Sequence, residues 1–219
     1  MARRRALAEL LTQAGPAHSR VPARLREVPI TATRERVVEL EALLHLRDGF
    51  RTLGGALCVR PSVTVAQVRG CGEWNSLTLW RAPYRHATMI WLFAEDIFGR
   101  QFGIHRHGIV RLDPATGAVD PWADDLEGWA ARAIDEADAL GCEHLAAWEA
   151  AHPPLRAHDR LQPRDPDALG LDLDTEFRVR EDVDLMRRWV LVFRAHLAQP
   201  GEVLVAGTLD DAAWWGAEG

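Results

Sequence analysis

The chain has 219 residues, 47% of them hydrophobic and 26% charged, enough apolar material to bury a core without disulfides or a structural metal. A net charge of −6 and a sequence pI of about 5.8 argue against nucleic acid as a direct partner. No stretch approaches the roughly 18 apolar residues that a membrane-spanning helix needs.

Residues 1–32 read as a leader. Leu7, Leu10 and Leu11 make a short amphipathic helix that Gly15-Pro16 stops, and the Arg-rich start has no apolar signal-peptide core behind it. Residues 33–206 are assigned to one domain and 207–219 to a tail. Val37, Leu40 and Leu44 with Val38 and Leu43 have helical spacing, closed by Asp48-Gly49. Short strands are expected over 56–68, broken by Pro61, followed by a turn at Gly70-Cys71-Gly72. The alternation in 76–80 predicts a half-buried strand. The apolar run 87–94 predicts a central one, followed by an acidic turn at Glu95-Asp96. Strands are expected from Gln101 and over Gly108–Leu112, then a reversing loop at Asp113–Gly117 and a return at Val119. Asp124 with Glu127 has the spacing of a capping box for a helix lined by Leu126, Trp129, Ala130 and Ala133. A second helix carries Leu145 and Trp148, and residues 156–175 read as loop. A last long helix bears Met186, Trp189, Val190, Phe193 and Leu197, and a short strand is expected at Val203–Val205. Whether Trp214-Trp215 packs back is left open. Helices flanking strands joined by tight turns define an α+β class with a largely antiparallel sheet.

Nine Trp against one Tyr put much of the packing and recognition surface into indole rings. Every basic residue other than histidine is Arg. Residues 1–60 carry 11 Arg against 6 acids, a balance of +5, while residues 61–219 carry 15 Arg against 26 acids, a balance of −11. An acidic body of this kind suits a basic protein partner. Cys58, Cys71 and Cys142 are odd in number and widely spaced, as expected of reduced thiols in the cytoplasm.

Residues 91–104, Trp-Leu-Phe-Ala-Glu-Asp-Ile-Phe-Gly-Arg-Gln-Phe-Gly-Ile, resemble the F-A-E-D-x-F-G-x-Q-F segment of bacterial proteins of the SMI1/KNR4 (SUKH) superfamily. In collinear order, Leu43–Phe50, Trp74-Asn75, Leu79-Trp80-Arg81 with Tyr84, Asp113–Gly117, Trp129, Leu145–Trp148 and Pro154-Leu155 are similar to further segments of that family. The likeness covers about residues 35–165. It departs at Ala115, where the family has Glu, at Asp48, where Asn is common, and at Thr52–Gly55. Beyond Pro163 it stops. The resemblance implies an SMI1/KNR4-like α+β scaffold that binds protein partners, with no recognised catalytic residues. In bacteria it implies chiefly an immunity-type protein neutralising a polymorphic toxin.

Trp74, Asn75, Trp80, Arg81 and Tyr84 form an aromatic and Arg block of the composition found at binding hot spots. With Glu95 and Asp96 they are the expected partner-binding residues. Trp80 could equally cap the core, and adjacent acids more often cap backbone N–H groups than converge on a substrate. His105 and His107 would share one face of a strand, but zinc needs a further ligand and none is nearby in sequence. There is no phosphate loop, GxSxG or HExxH motif. No cofactor is expected. The expectation is therefore a non-catalytic protein-binding domain. A regulatory adaptor for a peptide or enzyme is the second reading, and an enzyme of unrecognised type the third.

Overall fold

The computed structural model describes residues 5–21, 23–25, 28, 32–165, 175–198 and 214–215. Among them the fold is α+β, with a six-stranded antiparallel sheet in the order β1-β2-β3-β4-β5-β6 and a separate hairpin, β7-β8. The strands are β1 (Phe50–Thr52), β2 (Leu57–Val59), β3 (Trp91–Asp96), β4 (Gln101–His105), β5 (Gly108–Leu112), β6 (Val119–Ala123), β7 (Asp159–Pro163) and β8 (Phe177–Glu181). The helices are α1 (Ala6–Thr12), α2 (Arg34–Leu46), the single turn α3 (Cys71–Trp74), α4 (Leu126–Asp135), α5 (Cys142–Ala151) and α6 (Asp182–Ala198). None of the described helices is long and apolar enough to cross a membrane.

The period-2 geometry of β3 divides the core. Trp91 and Phe93 point to a cluster closed by α1, α2 and α4, whereas Leu92 points to one closed by α6. A bulge between Leu92 and Ala94 returns Ala94 to the first face. Gly103 in β4 makes the second face tight, because a Cβ there would lie 2.3 Å from Cγ2 of Ile90. On the first face Phe102 and Phe93 meet Trp129 of α4 edge to face. Ala6 and Leu10 of the leader belong to this same buried cluster.

The sheet's two edges differ. β1 is covered by the chain's own leader: the Gly15 N–H donates to the Arg51 carbonyl at 2.8 Å and the His18 N–H to the Gly49 carbonyl at 2.7 Å. β6 is the other end of the sheet. Pro121 and a bulge opposite it, between Ile109 and Val110 of β5, blunt it against further strand pairing.

Several sequence expectations are corrected. Residues 77–81 form one π-helical turn rather than a strand, started by Ser76 Oγ accepting from the Thr78 N–H. The buried Arg81 guanidinium donates to the carbonyls of Ala87 (2.6 Å) and Ile90 (2.9 Å), which holds this segment as a closed loop. β3 begins only at Trp91. Glu95 and Asp96 lie inside it, and the turn is one step later. The α4 cap is Asp125, accepting from the Gly128 N–H at 2.6 Å, while Glu127 instead accepts from the Ala6 N–H of α1 at 2.5 Å. The expected loop 156–175 contains β7. On α6, Leu197 is exposed while Met186, Trp189, Val190 and Phe193 are buried. The expected strand at Val203–Val205 lies outside the described residues.

Trp214 and Trp215 pack back. Trp214 lies 4.7 Å from Trp189, and its Nε1 donates to the Arg164 carbonyl at 2.9 Å. Trp214→Ala should therefore destabilise the protein by about 3–5 kcal/mol in urea unfolding, the usual loss for a buried large aromatic.

Candidate functional site

The residues singled out in the sequence are brought together, but inside the protein. Trp74, Trp80, Arg81, Tyr84, Glu95 and Asp96 are all buried, and Asn75 is half-buried. Trp74 and Trp80 lie 5.3 Å apart, Trp80 and Tyr84 5.7 Å, and Tyr84 stacks on Phe193 at 4.6 Å. The Tyr84 hydroxyl donates to the Pro114 carbonyl at 2.7 Å, and burial, then Asp113, pushes its pKa well up. Asn75 bridges α3 to β3, its Nδ2 donating to the Leu92 carbonyl at 2.7 Å while its Oδ1 accepts the Leu92 N–H at 2.9 Å. These side chains build the scaffold. Little of the expected partner-binding block is on the surface, and the polar atoms of Asn75, Arg81, Tyr84 and Trp74 are engaged within the chain.

Asp96 also has a structural role. Its Oδ1 accepts the N–H groups of Phe98 and Arg100, each at 3.0 Å, and its Oδ2 pairs with the Arg100 guanidinium. Burial raises its pKa despite that pairing. His105 and His107 flank the β4–β5 turn with rings 5.5 Å apart. Among the described residues no group of three or more His, Cys, Asp or Glu is placed to hold a metal ion.

Glu95 is the hub of a buried ionic centre. Its Oε1 pairs with the guanidinium groups of Arg60, just beyond β2, and Arg160 of β7. Its Oε2 accepts from Gln101 Nε2 at 2.8 Å. Gln101 Oε1 in turn accepts from Trp74 Nε1 at 2.8 Å. Arg60 also pairs with Asp182, the first residue of α6, at 3.1 Å, and its guanidinium lies 3.2 Å from the Trp74 ring centroid. Burial opposes the charge on Arg160, yet its pKa is raised by Cys58, Glu95 and Asp182. Cys71, with no exposed surface, has its thiol pKa pushed up to about 12 by burial. Two buried arginines and two buried carboxylates meet at this centre, and the partly exposed Arg69 reaches Asp182 at 3.7 Å.

The surface offers a different set of residues. A groove of about 540 Å³ runs between the end of β6 and the outer face of α4. Its acids are Asp124, Asp125, Asp135 and Glu136. Asp125 caps α4 and Glu136 pairs with Arg132 at 2.7 Å, whereas Asp124 and Asp135 are exposed with no ion-pair partner among the described residues. Trp122 lies at the groove with the Arg132 guanidinium 4.0 Å from its ring. A second hollow of about 320 Å³ shares Trp122, Ala123 and Asp124 and extends to His105 and His107. Burial, then His107 and Arg106, lowers the His105 pKa. The sequence reading missed this site. Its only signal was the acidic balance of residues 61–219.

No protein-family model matches the chain, and neither a curated protein nor a solved structure does.

Replacing Glu95 by Gln leaves Arg60 and Arg160 buried around a neutral amide. Urea unfolding should show a loss of about 3–5 kcal/mol. In a double-substitution cycle with Arg160→Met, the two losses should be less than additive.

Proposed function

We propose that the chain is a non-catalytic protein-binding domain that neutralises a basic toxin domain stoichiometrically, as immunity-type proteins do. The observation that carries this reading is the groove beside α4, where Asp124 and Asp135 have no ion-pair partner among the described residues. The body around it is acidic, with a balance of −11 over residues 61–219. Such a surface steers a cationic partner during approach and disfavours an anionic one. The ordered likeness of residues 35–165 to the SMI1/KNR4 superfamily supports the same class. Three free thiols suit a cytoplasmic protein. The groove blocks a partner's surface by occupying it, which needs no chemistry from the buried residues.

The test is to tag the protein in its native host and identify what elutes with it in stoichiometric amount. A basic toxin domain is expected, and Asp124→Lys with Asp135→Lys should weaken its binding about tenfold or more, chiefly through a slower and less salt-sensitive association. Recovery of a metabolic or signalling enzyme instead would favour a regulatory adaptor and defeat the immunity reading.

The adjoining hollow, which shares Asp124 with the groove, carries a pH signature. His105 has a pKa below the ordinary 6.5, so it is uncharged at neutral pH and gains a proton only under more acidic conditions. That proton adds positive charge beside Asp124 and repels a cationic partner. Affinity for the recovered partner should therefore fall as pH is lowered through and below 6.5, and His105→Gln should reduce the fall in a titration of Kd against pH.

A further inference from the structure

On the opposite face of the sheet, α6 and the loop 77–83 enclose a smaller concavity of about 240 Å³. Leu77, Leu79 and Trp80 line one wall and Arg187, Leu191 and Arg194 of α6 the other. Arg187 and Arg194 are seven residues apart, so they sit on one side of the helix about 10 Å from each other along its axis. Both are exposed and neither has a carboxylate partner among the described residues, although on the same helix Arg188 pairs with Asp184 at 3.1 Å. Leu77, half exposed at 51%, is raised to the rim by the π-helical turn, a distortion often found at functional sites.

From this geometry we infer a second docking surface, for an acidic amphipathic helix of another protein that places a leucine-like side chain between two carboxylates. The apolar wall receives the aliphatic side chain. Arg187 and Arg194 pair with carboxylates one on either side of it, two turns apart on the incoming helix. The rest of the body is acidic and repels such a segment, so these two unpaired guanidinium groups supply the discrimination as well as the attraction. This surface is separate from the groove beside α4 and does not depend on the toxin reading. Both can be occupied at once, because they lie on opposite faces of the sheet.

The experiment uses the full chain and fluorescein-labelled synthetic helical peptides of about 15 residues. One peptide has Glu at positions i and i+7 with Leu between them. The second has Lys in place of both Glu, and the third is a scramble of the first. Fluorescence anisotropy should show the acidic peptide binding about tenfold or more tightly than either control, with affinity falling as salt is raised. Arg187→Glu with Arg194→Glu should abolish that preference while leaving the thermal midpoint unchanged, since both side chains are exposed. Leu77→Ser should weaken binding several-fold, and Asp124→Lys with Asp135→Lys should not weaken it. Failure of the acidic peptide to out-compete its scramble, or undiminished binding by the arginine variants, overturns the inference. So does a dimer of the chain that these arginine substitutions dissociate, because it would assign the surface to a second copy.

Discussion

Everything in this fold is organised around one carboxylate that water does not reach. Glu95 lies in the third strand of the sheet, and the groups that satisfy it come from distant parts of the chain: Arg60 after β2, Arg160 in β7 and Gln101 in β4. Through Arg60 the first residue of α6, Asp182, is tied to the same point. A lone ionised carboxylate at this depth would cost many kcal/mol, and these partners offset that cost. Net stability is not the main consequence, because well-packed apolar side chains can do as well. The consequence is registry. The ties of Arg60 to Glu95 and Asp182, and of Arg160 to Glu95, hold β7 and α6 against the sheet, where Phe193 lies against Tyr84 and Trp189 against Trp214.

The same constraint explains which parts of the structure the sequence makes legible. α6, β4, β5 and the Asp113–Gly117 loop are encoded by local patterns, either an apolar period or turn residues, and they are where the pattern places them. β7 has no such pattern. Its inward-facing groups include Arg160 and Gln162, and a buried strand carrying a guanidinium and an amide reads as loop until its partners are known. Arg160 is 65 residues from Glu95, and Asp182 is 122 residues from Arg60. No window along the chain contains both members of either pair. The same holds for Glu95 and Asp96, whose adjacency and charge imitate a surface turn. Leu77 and Leu79 imitate a strand, but the donors of Arg81 close the segment on the carbonyls of Ala87 and Ile90.

The aromatic and Arg block of residues 74–84 has the composition of a binding hot spot, and the core uses it instead. Composition is the same in the two settings because the physical demand is the same: large apolar faces and planar donors, fully desolvated. What separates them is whether the polar atoms are already spoken for. Asn75, Arg81 and Tyr84 all have acceptors within the chain, and the Trp74 indole is bound by Gln101. Little of this block remains free for another molecule except the leucines at its rim.

On the two proposed surfaces the charges without an ion-pair partner among the described residues are Asp124 and Asp135 beside α4, and Arg187 and Arg194 beside α6. Neighbouring charges of the same kind, Glu136 and Arg188, are neutralised within the chain. The two sets have opposite sign and lie on opposite faces of the sheet. Arg60 and Arg160 are spent on Glu95 and Asp182, and the partly exposed Arg69 also reaches Asp182 at 3.7 Å, so the buried acids draw on these guanidinium groups and not on Arg187 or Arg194.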